Sequence, residues 1–398
     1  MFTGMFWAGV SWAGRPDRSP KGRARASRLV WAVLAVGVLV GAAARADWPM
    51  LRGTPANTGV AREALTLPLR RVWTFEAGGA VEGSEAIVGG TAYVGTMNGR
   101  LHAVRLSDGK PRWTFRSADA ISASPCVADG CVFVGDEGGT FYALDAATGK
   151  VVWKRTTEDR IISSAVTAPS VVLVGSYDNH LYCFRRSDGK RMWAFKTDAQ
   201  VHCTPCVVGS RAVIAGCDGE VRILDVATGA QKASARVDTN FGAPPASAGD
   251  SVLVGSMSGI YVRVRLSDGK VLWKMREQED GAAAYAGAAV AGQRAIFASR
   301  SSRVFCVDAS TGAARWTYRA KGQVNSSPVV SGTSVFVGSD DGRLVALDLA
   351  TGRLRWQYNA GAEIKASPAI AQGRLVIGAA DGAVYCFAPT APSSKGRN

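Results

Sequence analysis

The sequence predicts an all-β protein, namely an eight-bladed β-propeller of four-stranded antiparallel blades that is closed by the N-terminal strand. Three observations predict it. One phrase recurs about every 40 residues, each repeat contains four short strand-like segments, and a single fourth strand stands ahead of the first repeat. The chain of 398 residues contains 46 glycines, which indicates many tight turns.

The recurring phrase has the form Ala-x-Asp-x-x-Thr-Gly-Lys-x-x-Trp. Its glycines are separated by 40 residues, except for one step of 43, and they are Gly109, Gly149, Gly189, Gly229, Gly269, Gly312 and Gly352. Its tryptophans are Trp73, Trp113, Trp153, Trp193, Trp273, Trp316 and Trp356. Ala233 occupies the one position where the tryptophan is missing. Repeats of this length are typical of solenoids and propellers.

Each repeat contains four segments that are rich in β-branched or aromatic residues and are bounded by Gly, Asp, Asn or Ser. In one repeat, we expect strands over Val324–Val330, Ser334–Gly338, Leu344–Asp348 and Leu354–Tyr358. Asp-Gly and Asn-Gly steps supply the positive φ that tight hairpins need. Four-stranded units in series are propeller blades, which bury their faces against neighbouring blades.

Counting the repeats gives the number of blades. Eight sets of first to third strands begin near Val81, Ile121, Ile161, Val201, Phe241, Ala284, Val324 and Ile364. The eighth set ends at Val384–Phe387 without a fourth strand, whereas the unpaired Val72–Phe75 lies in phase at the start. The N-terminal strand is therefore expected to complete the last blade, which leaves no free edge between the chain ends.

The N-terminal 46 residues read as an export signal. A basic stretch precedes the uncharged apolar run Leu29–Ala44, and Ala44-Arg45-Ala46 is a small-x-small cleavage pattern. We expect a cleaved signal peptide over 1–46 and a periplasmic or otherwise extracytoplasmic protein; the alternative is an uncleaved membrane anchor. The remaining predicted segments are an N-terminal extension over 47–69, the propeller over 70–388 and a flexible C-terminal tail over 389–398.

The charge balance argues against nucleic acid as a partner. The formal net charge is +15, but residues 1–46 contain seven basic residues and one acidic residue, so the mature chain carries +9. The mature chain contains no Lys/Arg block, and basic and aromatic residues do not alternate in it.

The repeat phrase resembles the tryptophan-docking motif of the pyrroloquinoline-quinone (PQQ) type propeller repeats, over about residues 70 to 388. The segment Asp47–Gly53 also resembles the leader of exported proteins with such repeats. The resemblance implies that the repeat tryptophans pack between adjacent blades and that the joint at Ala233 is looser. The family includes quinoprotein alcohol dehydrogenases and BamB-type outer-membrane-assembly proteins, so the resemblance implies the fold more firmly than the function.

The resemblance also separates the two functional classes. Family dehydrogenases bind PQQ and Ca²⁺ in the central funnel and share adjacent cysteines, a catalytic Asp and long insertions. This chain has no adjacent cysteines, no Cys-x-x-Cys-His haem motif and regular repeats. We therefore expect no catalytic residue, no cofactor and no metal.

The expected function is that of a monomeric scaffold that binds a protein or peptide in the cell envelope. A BamB-like role in outer-membrane protein assembly is one version of it, although the chain has no cysteine before Cys126 for a lipid anchor. The alternative is a quinoprotein redox enzyme.

The eight cysteines leave several alternatives open. Cys183, Cys306 and Cys386 share one repeat position and read as buried thiols. Cys126 and Cys131 flank a turn, so either a disulfide or two free thiols fits them. The residues His202, Cys203, Cys206 and Cys217 have the side-chain types of a zinc site, but strand alternation sends Cys203 and Cys206 to opposite faces. The alternatives are a disulfide within this trio of cysteines and free thiols.

The sixth repeat departs most from the others. It contains the three-residue insertion, expected in Arg276–Gly281, and has Arg300 and Arg303 where other repeats have Ser-x-Asp-Gly. Loops between second and third strands lie on the same propeller face as the connections between blades. The candidate partner-binding residues on that face are Arg276, Glu277, Glu279, Asp280, Arg300 and Arg303. Arginines suit carboxylate partners, and the alternative is a local ion-pair patch.

Overall fold

The structure is a computed structural model that describes residues 46–279 and 281–390. The predicted signal peptide lies outside the described residues except for Ala46, and so do Asp280 and residues 391–398. Every regular element in the described ranges is a β-strand. These ranges contain no helix that could cross a membrane.

The strands form eight consecutive groups. The N-terminal strand is β1 (Leu69–Glu76). Blade 1 contains β2 (Ala86–Val88), β3 (Thr91–Gly95), β4 (Arg100–Arg105) and β5 (Pro111–Arg116). Blade 2 contains β6 (Cys126–Ala128), β7 (Cys131–Gly135), β8 (Thr140–Asp145) and β9 (Val151–Thr156). Blade 3 contains β10 (Val166–Ala168), β11 (Val171–Gly175), β12 (His180–Arg185) and β13 (Arg191–Lys196). Blade 4 contains β14 (Cys206–Val208), β15 (Arg211–Ala215), β16 (Glu220–Asp225) and β17 (Gln231–Arg236).

The second half of the chain repeats the pattern. Blade 5 contains β18 (Ala246–Ala248), β19 (Ser251–Gly255), β20 (Ile260–Arg265) and β21 (Val271–Arg276). Blade 6 contains β22 (Ala289–Ala291), β23 (Arg294–Ser299), β24 (Arg303–Asp308) and β25 (Ala314–Arg319). Blade 7 contains β26 (Val329–Ser331), β27 (Ser334–Gly338), β28 (Arg343–Asp348) and β29 (Leu354–Asn359). Blade 8 contains β30 (Ala369–Ala371), β31 (Arg374–Gly378) and β32 (Ala383–Pro389).

Each blade is a four-stranded antiparallel sheet in sequence order, and β1 supplies the outer strand of blade 8. The register of that closure pairs Trp73 with Cys386. The predicted eight-bladed propeller, closed by the N-terminal strand, is therefore confirmed. The closing sheet reaches Pro389, and Thr390 donates its backbone N–H to the carbonyl of Pro68, so these two residues of the predicted tail belong to the propeller.

The inner strands are shorter than the sequence predicted. Only Val329 and Val330 of the predicted strand Val324–Val330 pair within the blade, in a strand that continues to Ser331. The residues before it bond to neighbouring blades instead: Val324 donates its N–H to the carbonyl of Ser299, and Ser327 donates to the hydroxyl of Ser367. Pro328 has no N–H for a strand ladder, which limits pairing at this point.

The repeat tryptophans join adjacent blades. The Trp153 indole N–H donates to the carbonyl of Arg186 in the next blade over 2.8 Å, and five of the others make the equivalent bond. Trp356 donates instead to the carbonyl of Leu69 in the closing strand β1 of blade 8. The glycine in the third-to-fourth-strand turn of the next blade packs against the face of the indole ring. A Cβ added at Gly189 would stand 2.6 Å from the ring of Trp153. The motif therefore couples a large aromatic residue to a position that only glycine fits.

The joint at Ala233 is filled in another way. The residue opposite Ala233 in the third strand is Ile223, whereas most tryptophans face Ala or Cys there. The next turn also moves inward, since a Cβ at Gly269 would lie 2.2 Å from the carbonyl oxygen of Ser234. The looser joint implied by the resemblance is thus replaced by a larger neighbour and closer backbone contact.

The extension that precedes the propeller forms what we call the clasp, residues 47–65. Its backbone carbonyls accept N–H groups from the inner strands of six blades over 2.7–2.9 Å, at Ile87, Val127, Val207, Ser247, Val290 and Val330. The buried Arg52 donates to the carbonyl of Ala288, and Asn57 donates to those of Pro205 and Pro245. The clasp therefore follows the inner edges of the blades around the ring.

Candidate functional site

The propeller has two faces of different character. The turn face carries the turns between first and second strands and those between third and fourth strands. The loop face carries the turns between second and third strands and the connections between blades. The clasp lies on the turn face, where Gly89 and Gly373 at first turns donate to Asp47 and Glu63. Within residues 46–279 and 281–390, the clasp covers the central channel on the turn face and leaves it uncovered on the loop face.

The channel is a cavity of about 190 Å³. Leu51 of the clasp lines its inner end. One residue from the same repeat position in each blade also lines it, and these eight are Glu82, Ser122, Ile162, His202, Gly242, Tyr285, Asn325 and Lys365. Each lies at the end of the connection that leads into its blade, a few residues before the inner strand. Together they form the mouth of the channel on the loop face.

Below the mouth, a chain of hydrogen bonds runs from blade to blade. The backbone N–H of one blade donates to a hydroxyl of the next over 2.8–3.0 Å, and the accepting residues are Ser84, Ser124, Ser164, Thr204, Ser327 and Ser367. The chain is interrupted at blade 5, where Pro244 has neither a hydroxyl nor a backbone N–H. Most of the polar groups in the channel wall therefore form hydrogen bonds between adjacent blades.

The mouth itself is chemically uneven. On one side, Lys365 pairs with Glu82 at 3.1 Å and with Glu363 at 3.5 Å, so its charge is balanced locally. The Glu82 interaction is the first cause of the raised pKa of Lys365. The opposite side carries aromatic and cationic groups.

This side contains what we call the array, consisting of Arg160, Tyr177, His202, Tyr285 and Arg300. The guanidinium of Arg160 lies over the Tyr177 ring at 4.4 Å, and that of Arg300 lies over the Tyr285 ring at 4.1 Å. Between them, the Tyr177 hydroxyl and His202 Nδ1 are 2.6 Å apart, and the His202 and Tyr285 ring centroids are 6.1 Å apart. Burial is the main cause that lowers the pKa of His202, and the nearby Arg160 lowers it further.

A glycine makes the array continuous. Blade 5 contributes Gly242 at the mouth, between the positions of His202 and Tyr285. A Cβ at Gly242 would stand 2.8 Å from the Tyr285 ring and 3.1 Å from the methyl group of Met257. The missing side chain therefore gives Tyr285 the room to lean across blade 5 towards His202.

The predicted partner-binding residues divide into separate environments. Glu277 is buried and accepts hydrogen bonds from the hydroxyls of Tyr261, Ser299 and Ser301. Its carboxylate is therefore engaged inside blades 5 and 6 rather than offered to a partner. Arg276 is exposed at the end of β21, and Asp280 lies outside the described residues.

The two predicted arginines do not share one patch. Arg303 lies 3.6 Å from both Glu277 and Glu279, and Glu279 also pairs with Arg319 at 2.9 Å. Arg300 points away from this network: its Nε donates to Asn325 Oδ1 over 2.8 Å, and its guanidinium covers Tyr285. Arg300 thus belongs to the mouth of the channel.

Many loop-face aspartates serve their own turns. Asp136 accepts the backbone N–H of Thr140 and the hydroxyl of Tyr142. Asp178 accepts the equivalent groups of His180 and Tyr182. This is the structural use that Asp finds in tight turns.

The cysteines are free thiols in the structure. Cys126 pairs with Phe133 across the hairpin and Cys131 pairs with Ala128, so these two cysteines are not opposite one another. The thiols of Cys203 and Cys217 approach the carbonyl oxygen of Phe241 at 3.5 and 3.9 Å, whereas Cys206 faces Ala56 of the clasp. Among residues 46–279 and 281–390, no three His, Cys, Asp or Glu side chains are grouped as metal ligands.

Glu85 has a buried carboxyl group and belongs neither to the mouth of the channel nor to the predicted partner-binding residues. Glu85 precedes the inner strand of blade 1, at a position where five other blades have Pro and two have Ala. Its side chain is fully buried beside Gly378 of blade 8, and neither carboxyl oxygen completes a hydrogen bond among the described residues. Burial raises the pKa of Glu85 to about 8, so the group is largely protonated at neutral pH.

The sequence placed Arg300 on the correct face but did not predict the array. His202 was grouped with cysteines, and Tyr285 and Arg160 were not singled out. The sequence does contain one signal for the array, which is the variation in residue type at a single position of the repeat. The residues from Glu82 to Lys365 at the mouth differ in every blade, although the residues that follow them are mostly small and uniform.

Comparisons with known proteins place the fold in a family. The family model described as outer membrane protein assembly factor BamB matches residues 70–171, 159–282 and 268–391. No curated protein sequence matches the chain.

Solved structures share the fold at low sequence identity. BamB from Moraxella catarrhalis has a TM-score of 0.71 at 19% identity, over 83% of this chain and 100% of that chain. Quinohemoprotein alcohol dehydrogenase from Comamonas testosteroni has a TM-score of 0.77 at 16% identity, over 89% of this chain and 82% of that chain. The computationally designed Ika8 protein has a TM-score of 0.70 at 16% identity, over 80% and 99%. Because the family model spans the whole ring of blades, the chain belongs to the BamB-like family of PQQ-type repeat propellers.

Proposed function

We propose that this chain is an exported, non-catalytic scaffold that binds protein partners on its loop face, with a role in cell-envelope or outer-membrane protein assembly. The observation that carries the proposal is the channel. It is narrow, it is covered on the turn face by the clasp, and its mouth presents aromatic and cationic side chains to the loop face. Variable side chains on a regular scaffold are where binding usually resides.

The alternative is a quinoprotein dehydrogenase that uses the channel, and the similarity to the Comamonas testosteroni enzyme in fold favours it. The residues present are a poor match for PQQ. The cavity of about 190 Å³ is smaller than the ~300 Å³ at which pockets for ligands of this size begin. The mouth residue Lys365 is already paired with Glu82. The described residues also group no acidic ligand set for Ca²⁺.

Site-specific photo-crosslinking in the envelope tests the scaffold function. A photoreactive side chain is placed on the loop face at Glu158 or Lys321, and on the turn face at Lys150 or Lys190 as matched controls. We expect one discrete protein adduct from the loop-face positions and none from the controls. Equal adducts from both faces, or none from either, would contradict the proposal.

A second measurement separates the scaffold from the enzyme. Purified protein is mixed with PQQ and Ca²⁺, desalted and examined for quinone absorbance and alcohol-dependent reduction of a dye. We expect neither signal. Retained quinone together with dye reduction would establish the dehydrogenase alternative. For the finer role, removing the protein from its host should lower the amount of folded outer-membrane proteins.

A further inference from the structure

We propose that the array is a docking site for an acidic peptide segment, which lies across the mouth of the channel with one carboxylate on Arg160 and another on Arg300. The inference rests on the proposed function, because it assigns the chemical class of the partner. Its observations are the charges and ring contacts of the array.

Arg160 and Arg300 are available to bind a carboxylate of a partner, whereas the neighbouring Arg303 and Arg319 are already paired. Among the described residues, neither Arg160 nor Arg300 has a carboxylate within salt-bridge distance, whereas Arg303 and Arg319 are both paired with Glu279. A guanidinium stacked on a ring keeps its N–H edge free for in-plane hydrogen bonds. Carboxylates fit that edge with two parallel bonds.

The remaining members of the array hold these arginines in place. The 2.6 Å contact between Tyr177 and His202 fixes the ring beneath Arg160. Arg300 is held by Tyr285 and by its bond to Asn325, whose amide donates in turn to Asp340 over 2.8 Å. A binding surface that is ordered before its ligand arrives loses less entropy on association.

The spacing suits an extended chain. Successive centroid separations along the array are 4.4, 5.9, 6.1 and 4.1 Å, from Arg160 through Tyr177, His202 and Tyr285 to Arg300. The two guanidinium groups are therefore at most roughly 20 Å apart, so about six residues of extended peptide are long enough to reach from one to the other. The aromatic faces between them offer apolar contact to the backbone and side chains of that peptide.

The surroundings favour a peptide over a polyanion. Glu137, Glu158, Asp159 and Asp178 lie on the same loop face around Arg160. A polymer with a charge on every unit, such as nucleic acid, meets this acidic rim with repulsion. A segment with only two separated carboxylates meets much less of this repulsion, and each carboxylate can be placed directly on an arginine.

Fluorescence anisotropy with labelled twelve-residue peptides tests the inference on the purified protein. The probe is a Gly/Ser peptide with two glutamates six positions apart, and the comparison peptides have two glutamines at those positions or two adjacent glutamates. We expect the probe to bind about tenfold more tightly than the glutamine peptide and about threefold more tightly than the adjacent-glutamate peptide. Equal binding of all three peptides would overturn the docking site.

Variants then locate the site. Arg160→Gln and Arg300→Gln should each weaken probe binding about fivefold, and together they should reduce it to the level of the glutamine peptide. Arg116→Gln is the matched control, since Arg116 is exposed at the end of β5 outside the array, and it should stay within twofold of the parent. A loss for Arg116→Gln as large as that for the array variants would show non-specific charge attraction and overturn the proposal. Unchanged thermal unfolding of each variant confirms that the fold is kept.

Photo-crosslinking of the Arg160→Gln/Arg300→Gln double variant separates failure of the array proposal from failure of the scaffold function. If the double variant loses the loop-face adduct, the array proposal and the scaffold function are both supported. If it gives the same loop-face adduct as the parent, the scaffold function stands and the array proposal is wrong. If the parent gives no adduct but binds the peptide selectively, the scaffold function fails and the docking site stands.

Discussion

Replacing Glu85 with glutamine should remove much of the loss of stability that the protein suffers as the pH rises from 5 to 8. The pKa of Glu85 is about 8 in the folded protein and 4.5 in an ordinary environment, because burial disfavours the charged form. Between these two values, the folded protein holds a proton that the unfolded chain has released. The free energy of unfolding therefore falls across this window and is level above it.

The magnitude follows from the same two values. One pKa unit corresponds to about 1.4 kcal/mol, so ionisation of this group lowers the free energy of unfolding by about 3 kcal/mol between pH 5 and pH 7.5. Glutamine at this position leaves a buried amide whose burial penalty does not depend on pH. The quantity to compare is thus the slope of stability against pH, and not the stability at one pH.

Urea unfolding followed by tryptophan fluorescence at pH 5, 6, 7 and 7.5 measures that slope. The difference between parent and Glu85→Gln should change by about 3 kcal/mol over the range. Glu76→Gln is the matched control, because Glu76 is exposed in the closing strand β1, and its curve should run parallel to that of the parent. A Glu85→Gln curve that also runs parallel would refute the reasoning, since it would mean that the carboxyl ionises as freely as an exposed one.

Three further predictions concern the blade joints, the clasp and the array. Trp153→Ala should lower the free energy of unfolding by about 3–5 kcal/mol in chemical denaturation, because it removes a buried ring and its bond to the next blade. Gly59→Ala should lower it by at least ~1 kcal/mol in the same assay, because Gly59 has a φ of 63° and its added Cβ would stand 1.9 Å from Arg52. Gly242→Ala should displace the Tyr285 ring and weaken acidic-peptide binding about fivefold in anisotropy, with thermal unfolding almost unchanged.

The blades could be predicted from sequence because each repeat carries its own turn chemistry. The turn glycine and the tryptophan of the repeated phrase each recur seven times, so the number, order and closure of the blades follow from counting. The predicted inner strands are too long, because a segment with β-branched residues at both ends, such as Val324–Val330, reads as one strand. Its first half in fact bonds to neighbouring blades around the channel.

The array and the clasp could not be predicted because they depend on contacts between distant repeats. Nothing local to Tyr285 indicates that it will lean past Gly242, about 40 residues earlier, towards His202 in blade 4. Similarly, the spacing of Glu277 and Arg303 suggests a surface ion pair. Whether Glu277 is buried depends on the hydroxyls of Tyr261 and Ser299, which come from two adjacent blades.

The clasp has a consequence for the order in which the parts of the chain fold. Its residues are synthesised before those of the blades, yet Asn57 bonds to residues 148 and 188 positions later and Leu65 to Ser331, 266 positions later. Pairs so far apart in sequence form late and slowly. The clasp must therefore wait for the last blades before it can dock, and a chain that stops short of those blades leaves the clasp without several of its partners. Unlike an open repeat array, in which a truncated product still folds, this ring makes the docking of the clasp depend on the completion of the last blades.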